Sequence, residues 1–115
     1  MMLIGDVKDR VCLMIDDMAD TCGTLCSAAR ILKENQAKAV LALIVHPILS
    51  QDAVARINGS DIEKIIVCNT VPLSKEGKAS NKLSVIDISK LFSEAIRRNH
   101  SGQSISFLFK YVPCN

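Results

Sequence analysis

Residues that could bind a phosphorylated ligand are concentrated in one short segment of this chain. The segment spans residues 16–24 and carries carboxylates, hydroxyls and a glycine, namely Asp16, Asp17, Asp20, Thr21, Gly23 and Thr24. Two adjacent carboxylates repel each other and are costly to bury without partners, so they are expected to face solvent, a polyol or a metal-bound ligand. The threonine hydroxyls can donate hydrogen bonds to an anion, and a glycine lets the backbone approach a ligand closely and take a positive φ angle. These residue types indicate a phosphate-binding loop.

A strand and a helix are needed to position this loop. Residues 11–15 are five consecutive apolar residues, as expected for a strand that is buried on both faces. A helix is predicted over residues 24–34, and its first turn offers unpaired N–H groups at the positive end of the helix dipole, where anions bind. The alternative is an ordinary strand–turn–helix connection in which Asp20 or Thr21 caps the helix. The apolar strand and the acidic pair favour the phosphate site.

The rest of the chain alternates between strand and helix patterns. Further strands are predicted at residues 39–45, 62–67 and 83–88, and further helices from Ser50 or Asp52 to Ile57 and after Ser89. The last helix is expected to bury one side, formed by Leu91, Phe92, Ala95 and Ile96. Residues 73–82 are expected to form a polar loop, and residues 105–111 a short turn of structure. This order predicts an α/β fold with a mostly parallel sheet flanked by helices.

The composition is that of one globular domain of ordinary size. The 115 residues are 49% hydrophobic and 23% charged, which is enough for a core, and the low aromatic content of 3% predicts that this core is aliphatic. A net charge of +2 without a basic stripe gives no reason to expect nucleic acid as a partner. The longest apolar run, residues 39–45, is far too short to cross a membrane.

The cysteines are expected to be reduced and free of metal. There are five of them, Cys12, Cys22, Cys26, Cys68 and Cys114, and their spacing contains no paired metal-binding motif. An odd number of cysteines without a signal peptide favours free thiols in the cytosol. The sequence therefore predicts a cytoplasmic protein with no metal site of its own.

Residues 16–24, which read DDMADTCGT, resemble the phosphate loop of type I phosphoribosyltransferase-fold proteins. The wording is similar in particular to that of the ribose-phosphate diphosphokinases, which synthesise phosphoribosyl pyrophosphate (PRPP). Residues 5–10, 85–89, 94–100 and 104–109 resemble the same family, so the resemblance covers nearly the whole chain. It implies a type I phosphoribosyltransferase-like (PRTase) domain.

The resemblance also implies roles for individual residues. Asp16 and Asp17 would bind the ribose hydroxyls of ribose 5-phosphate. The 5-phosphate would be wrapped by the residues that follow, Asp20, Thr21, Cys22, Gly23 and Thr24. Ser104 and Ser106 match the family's C-terminal serines, which bind an allosteric phosphate or ADP across a subunit interface; the alternative is that they are ordinary capping hydroxyls.

The resemblance implies a reaction as well. The complete enzyme transfers the diphosphoryl group of MgATP to ribose 5-phosphate, giving PRPP and AMP, and it is a homo-oligomer, often a hexamer. Mg²⁺ is expected to arrive with ATP, because no cage of protein ligands is evident in the sequence. This domain would fix the acceptor sugar, since transfer of this kind depends mainly on positioning and charge neutralisation.

Two departures from the family pattern limit these expectations. Relatives have two domains, and residues 1–115 are similar to most of the second, C-terminal one, so the N-terminal domain is expected to be absent. No catalytic residue is then expected within the chain, and the isolated chain is expected to be inactive, whether it is a shortened product or part of an incomplete gene. Secondly, the family's H-G-x-F-S-G segment reads HPILSQ over residues 46–51, where Pro47 and Gln51 replace glycines and Gln51 disfavours a positive φ angle, so another path is expected. A non-catalytic synthase-associated regulatory subunit, or an assembly partner of complete enzymes, is the alternative function.

Overall fold

The computed structural model describes residues 1–113, which form a four-stranded parallel sheet with helices between the strands. The strands lie in the order β1-β2-β3-β4, and every neighbouring pair is parallel. The elements in chain order are β1 (Val11–Ala19), α1 (Gly23–Glu34), β2 (Ala39–Pro47), α2 (Ala53–Asn58), β3 (Lys64–Cys68), α3 (Lys75–Ala79), β4 (Leu83–Ile86), α4 (Ser89–His100) and a 3-10 helix (Ile105–Phe109). The predicted α/β fold with a mostly parallel sheet is confirmed.

The first strand is longer than predicted. Pairing with β2 continues to the partners Ala19 and Pro47, so Asp16 and Asp17 lie within β1 and not after it. The hydrophobic pattern stopped at Ile15 because charged side chains follow, but main-chain pairing does not depend on side-chain polarity where the strand faces a cavity or solvent. Because Asp16 and Asp17 are neighbours within this strand, their carboxylates point to opposite faces of the sheet.

One face of β1 is exposed, so the prediction of burial on both faces was wrong. Cys12 and Met14 pack against the core together with α1, whereas Val11, Leu13 and Ile15 are 57%, 52% and 70% exposed. The alternation arises because α1 and α2, which pack on the sheet, cover the face opposite these three side chains. The exposed side chains form an apolar stripe on an edge strand.

The core is aliphatic, as predicted. Its centre is the covered face of β2 and β3, with Val40, Ala42, Ile44, Ile65 and Val67 almost completely buried. Helices α1 and α2 contribute small or branched residues, chiefly Ala29, Ala53 and Ile57. The close packing of alanines against the sheet brings the helices near the strands, which sets where the loops at the carboxyl ends of the strands can lie.

The segment around α3 and α4 departs from the predictions. Residues 73–82 are not only a loop, because α3 forms there with Ser74 Oγ accepting a 3.1 Å hydrogen bond from Gly77 N. Phe92 and Ile96 on α4 are 53% and 69% exposed, so the expected buried side of this helix is wrong for these two residues. Helix α4 packs mainly on the 3-10 helix that follows.

No helix within residues 1–113 is both long enough and apolar enough to cross a membrane.

Candidate functional site

An open cavity of about 330 Å³ lies at the carboxyl end of β1, between the strand and the start of α1. It is lined by Asp16, Met18, Ala19, Asp20, Thr21, Cys22, Gly23, Thr24, Leu25 and Ile44. All five residues that were predicted to wrap a phosphate are therefore brought together around one cavity. The carboxyl end of a parallel strand is where open α/β sheets bind ligands.

The two adjacent carboxylates do not share this cavity. Asp16 lines it, together with Met18 on the same face of β1. Asp17 lies between them in the strand, so its side chain points to the opposite face. Its backbone N–H donates a 2.9 Å hydrogen bond to Asp16 Oδ1. The sequence grouped the two aspartates, and the structure brings only Asp16 to the cavity wall.

Residues 20–24, named here the phosphate loop, turn from the strand into α1 through Cys22. This residue has a φ of 62° and a ψ of 12°, the left-handed conformation, whereas Gly23 is already the first residue of α1. Positive φ was predicted for Gly23 and occurs one residue earlier. A left-handed residue followed by a right-handed one turns successive N–H groups toward a common point, which favours an anion there.

The start of α1 is not capped by a side chain. Cys22 is the N-cap residue and makes no capping hydrogen bond, so the alternative in which Asp20 or Thr21 caps the helix is not what the structure has. Helix geometry leaves the first N–H groups of α1 without acceptors inside the helix. These groups lie on the wall of the cavity, because Gly23, Thr24 and Leu25 line it. The site can accept an anion through backbone donors.

The thiol of Cys22 is unsuited to nucleophilic chemistry. Cys22 is 5% exposed, and burial, reinforced by the neighbouring Cys26, raises the pKa of its thiol to about 11 despite the opposing charge of Arg56. The protonated thiol points to the carbonyl oxygen of Asp20, with Sγ 3.8 Å from that atom. A neutral thiol is a weak nucleophile and a poor metal ligand, so Cys22 contributes shape and backbone to the loop.

Two residues that contact the phosphate loop were not identified from the sequence as part of the site. Ser50 donates a short hydrogen bond from its hydroxyl to Asp20 Oδ1, and Arg56 on α2 donates one from Nη1 to the carbonyl oxygen of Thr21. Ser50 was considered only as a helix cap. In the sequence, Arg56 was recognisable only as an arginine on a short helix. Its apolar neighbours Val54 and Ile57 are buried in the structure.

The segment at residues 46–51 has a strained backbone at two positions. Leu49 and Gln51 have φ values of 51° and 54°, so Gln51 takes the positive φ that it was expected to avoid. His46 lies at the end of β2, where its Nδ1 is 2.8 Å from the hydroxyl of Thr70.

A second cavity, of about 540 Å³, lies beside Thr70 at the same edge of the sheet. It is lined by Asn69, Thr70, Ile88, Ser89, Phe92, Ser93 and Ile96. Asn69 and Thr70 form a turn after β3, and both line this cavity. Hydrogen bonds of the Asn69 side chain to Asp87, Ile88 and Ser89 fix the corner between β4 and α4.

Ser104 and Ser106 lie far along the chain, at the start of the 3-10 helix, and both are exposed. The carbonyl oxygen of Ser104 accepts a 3.1 Å hydrogen bond from Arg98, and its hydroxyl makes no capping hydrogen bond. Arg98 also lies 4.1 Å above the ring of Phe107 and has a side chain only 14% exposed. Arg98 is therefore a packing residue.

The donor set does not fit a resident metal ion. Within residues 1–113 no three His, Cys, Asp or Glu side chains are grouped so that they could hold one. The four cysteines in this range, Cys12, Cys22, Cys26 and Cys68, are free, and Cys114 lies outside the described residues. Carboxylates are nonetheless available near the cavity to meet a cation that a ligand brings with it.

Comparisons with known proteins agree with the geometry. The chain matches the family described as the phosphoribosyl synthetase-associated domain over residues 1–110. Ribose-phosphate pyrophosphokinase 3 of Saccharomyces cerevisiae is 52% identical over 98% of this chain and 35% of its own length. Ribose-phosphate pyrophosphokinase 1 of Candida albicans is 51% identical over 99% of this chain and 36% of its own length.

A solved structure shares both fold and sequence with the chain. The crystal structure of phosphoribosylpyrophosphate synthetase from Mycobacterium smegmatis superimposes with a TM-score of 0.82 and 35% identity, covering 86% of this chain and 33% of that one. The chain thus spans about a third of the length of the relatives that it matches. Because the family match extends over nearly all of the sequence and the parallel sheet is shared, the chain belongs to the phosphoribosyl synthetase-associated domain family, as residues 16–24 indicated.

Proposed function

We propose that this chain is the ribose 5-phosphate-binding part of a ribose-phosphate diphosphokinase. The observation that carries the proposal is the cavity at the end of β1, where Asp16 faces the uncapped N-terminus of α1. The N–H groups of the phosphate loop bind the 5-phosphate, aided by the helix dipole. Asp16 accepts hydrogen bonds from ribose hydroxyls. Asp17 lies on the other face of β1, so we expect it to contribute little to binding of the sugar.

In the complete enzyme the diphosphoryl group of MgATP passes to ribose 5-phosphate, giving PRPP and AMP. Residues 1–115 are a single C-terminal PRTase-like domain, and the N-terminal domain of the complete enzyme supplies much of the site for ATP. Mg²⁺ comes with ATP and neutralises charge on its phosphates. This chain fixes the acceptor sugar, and no residue within it is assigned a catalytic role. The isolated chain is therefore inactive.

Regulation and assembly involve other surfaces. Ser104 and Ser106 belong to a site for phosphate or ADP that is completed by another subunit of a homo-oligomer. The exposed apolar stripe of β1, formed by Val11, Leu13 and Ile15, supports association of the isolated chain, because an uncovered edge strand attracts other chains. The protein acts in the cytoplasm, without nucleic acid or membrane as a partner.

A second candidate is a non-catalytic, synthase-associated regulatory subunit or assembly partner. The observation that favours it is the altered segment at residues 46–51, where Pro47 and Gln51 stand in place of glycines and Gln51 is held at a positive φ. Residues 16–24 retain every residue of the DDMADTCGT pattern. The intact loop makes sugar-phosphate binding the stronger proposal.

A crystal soak tests the site directly. Crystals of the chain soaked in ribose 5-phosphate, or in sulfate as a plain oxyanion, should show density at the N–H groups of residues 20–24. Density only elsewhere, with a well-ordered and empty phosphate loop, would count against the assignment. Replacing Asp16 and Asp17 together by Ala should preserve phosphate binding but remove the preference for ribose 5-phosphate over inorganic phosphate.

Two solution experiments test the remaining parts. Purified chain mixed with MgATP and ribose 5-phosphate should release no AMP above a blank, and clear Mg-dependent release would overturn the inactivity. Light scattering over a concentration series should detect a dimer or larger species, and a monodisperse monomer of 12.5 kDa would contradict self-association. Saturable ADP binding that Ser104→Ala abolishes would show that the effector site is complete within one chain.

A further inference from the structure

We propose that Arg56 and Ser50 are positioning residues that hold the phosphate loop in its anion-binding conformation from outside the cavity. The inference deepens the proposed function, on which it rests for the identity of the ligand. It assigns a purpose to α2 and to the segment before it, which the sequence identified only as a helix and an altered loop.

Three consecutive residues at the end of β1 are held by the 49–56 segment. The carbonyl oxygen of Ala19 accepts a 3.1 Å hydrogen bond from Leu49 N. The carboxylate of Asp20 accepts one from the hydroxyl of Ser50. The carbonyl oxygen of Thr21 accepts one from Arg56 Nη1. A loop that is anchored at three successive residues has few alternative conformations, so its N–H groups are preorganised for a ligand.

Arg56 contacts the loop from its outer side. It does not line the cavity of the phosphate loop but a separate cleft, where Cys26, Ser27 and Arg30 are its neighbours. Of the two residues that follow Thr21, Cys22 lines the cavity and Gly23 lies between the cleft and the cavity and lines both. Arg56 therefore acts on a ligand through the loop and not by touching it.

The charge of Arg56 supports the same role. Within residues 1–113 the guanidinium of Arg56 forms no ion pair with a carboxylate. Its positive charge reaches the loop, because it lowers the pKa of the Cys22 thiol against the larger effect of burial. A cation behind the loop adds to the positive end of α1.

Ser50 is aimed at Asp20 by an unusual backbone. The residues on either side of it, Leu49 and Gln51, both have left-handed φ values, 51° and 54°. Two such residues in a row of three are sterically unfavourable for side chains other than glycine. The half-buried Leu49 side chain packs against the core and keeps this turn in place. The strained backbone at Leu49 and Gln51 therefore places Ser50 where its hydroxyl orients the carboxylate of Asp20.

The test compares four variants of the 115-residue chain, Arg56→Met, Arg56→Lys, Ser50→Ala and the control Arg30→Met. Arg30 lies in the same cleft but is exposed and pairs only with Glu34 at 3.8 Å. Amide ¹H–¹⁵N spectra of the ligand-free chain should show shifts at Cys22, Gly23 and Thr24 in Arg56→Met and in Ser50→Ala. Arg56→Lys should restore most of the wild-type pattern, because Lys keeps a cationic donor, and Arg30→Met should leave these signals unchanged.

Binding of ribose 5-phosphate and of inorganic phosphate provides the second measurement. Arg56→Met should weaken both by about tenfold, the effect of losing one hydrogen bond that holds the site, with partial recovery in Arg56→Lys and no more than about a twofold change in Arg30→Met. Unchanged loop amides and unchanged binding in Arg56→Met would overturn the proposal. So would a general loss of stability that Arg56→Lys fails to rescue, since that indicates only a structural arginine.

The two proposals fail in different ways. If wild-type chain binds neither probe, ribose 5-phosphate binding is wrong for the isolated chain, while the ligand-free spectra still decide whether Arg56 positions the loop. If wild-type chain binds ribose 5-phosphate but Arg56→Met leaves the loop amides unmoved, only the positioning role is wrong. If Arg56→Met does not fold, Ser50→Ala decides the outcome, and unmoved loop amides in Ser50→Ala would refute the role.

Discussion

The imidazole Nδ1 of His46 lies 2.8 Å from the hydroxyl oxygen of Thr70, which joins the ends of β2 and β3. The same hydroxyl donates its proton to the carbonyl oxygen of Val45, 3.0 Å away. Because a hydroxyl has one proton to donate, the bond between His46 and Thr70 requires a proton on Nδ1. The neutral imidazole therefore has Nδ1 protonated and Nε2 free as an acceptor.

Replacing Thr70 by Val should remove the preference of the neutral His46 ring for a proton on Nδ1. The neutral His46 ring of wild-type chain should give the ¹⁵N signature of a protonated Nδ1 and a bare Nε2, and Thr70→Val should shift the population toward the Nε2-protonated form that free imidazoles prefer. Thr70→Ser, which keeps the hydroxyl, is the matched control and should resemble wild type. A wild-type ring with a bare Nδ1 would contradict the assignment.

The opposite directions of Asp16 and Asp17 in β1 predict unequal effects on ribose 5-phosphate binding. Asp16→Ala removes a carboxylate from the cavity wall and should weaken ribose 5-phosphate binding by about tenfold, as expected for losing a hydrogen bond to a charged group. Asp17→Ala should change it by less than about twofold, as for a surface substitution. Calorimetric titration of both variants decides the point. Equal losses would mean that both aspartates reach the sugar, as the sequence suggested.

Gln51 predicts a stabilising substitution. Its φ of 54° is unfavourable for a residue with a Cβ, so Gln51→Gly should raise the free energy of unfolding by about 0.5 kcal/mol after the greater unfolded-state entropy of glycine is subtracted. Ala55→Gly, at an exposed position of α2, is the control and should lower it by about 1 kcal/mol. Urea denaturation measures both changes. A loss of stability in Gln51→Gly would show that the left-handed turn is not strained.

Glu94 predicts a stability change at acid pH. Two arginines hold its carboxylate, with Arg97 Nη2 at 2.6 Å and Arg98 Nε at 2.9 Å, and they lower its pKa from 4.5 to about 2. Because the folded-state pKa lies below the unfolded value, the carboxylate stabilises the folded chain above pH 4.5, and this contribution disappears as the pH falls from 4.5 to about 2.

Thermal unfolding of Glu94→Gln across this range tests the prediction. The variant should melt below wild type at neutral pH, and the two curves should approach each other as the pH falls through about 2, where wild-type Glu94 becomes protonated. Glu34→Gln is the control, since the ion pair of Glu34 with Arg30 is exposed and 3.8 Å long and should contribute almost nothing. A difference between wild type and Glu94→Gln that stays constant with pH would refute the role of its charge.

Much of the fold was predictable because it follows from local patterns. The order of strands and helices, the parallel sheet and the aliphatic core depend on apolar periodicity, which the sequence displays directly. The phosphate loop was predictable for the same reason, since a strand, a turn and a helix start are consecutive in the chain. The end of β1 was misplaced because the apolar run ends before the backbone pairing does.

Features that depend on distant parts of the chain were not predictable. Arg56 and Thr21 are 35 residues apart, and no local pattern reports their contact. The exposure of Val11, Leu13 and Ile15 depends on which face of the sheet α1 and α2 cover, which is a property of the whole arrangement. The left-handed conformation of Cys22 was expected at Gly23, because glycine is the residue that takes this conformation most easily.

The side-chain amide of Asn69 connects the end of β3 to the residues just before α4. Its oxygen accepts from Ile88 N at 3.0 Å while its nitrogen donates to Asp87 Oδ1 at 3.0 Å, so one side chain sets the angle at which α4 leaves the sheet. A helix of 12 residues acts as a lever about 18 Å long, and a tilt of about 10° at its base moves its tip by about 3 Å. The position of the Ser104 region therefore depends on Asn69 at the end of β3, next to the polar edge of the sheet where His46 and Thr70 meet.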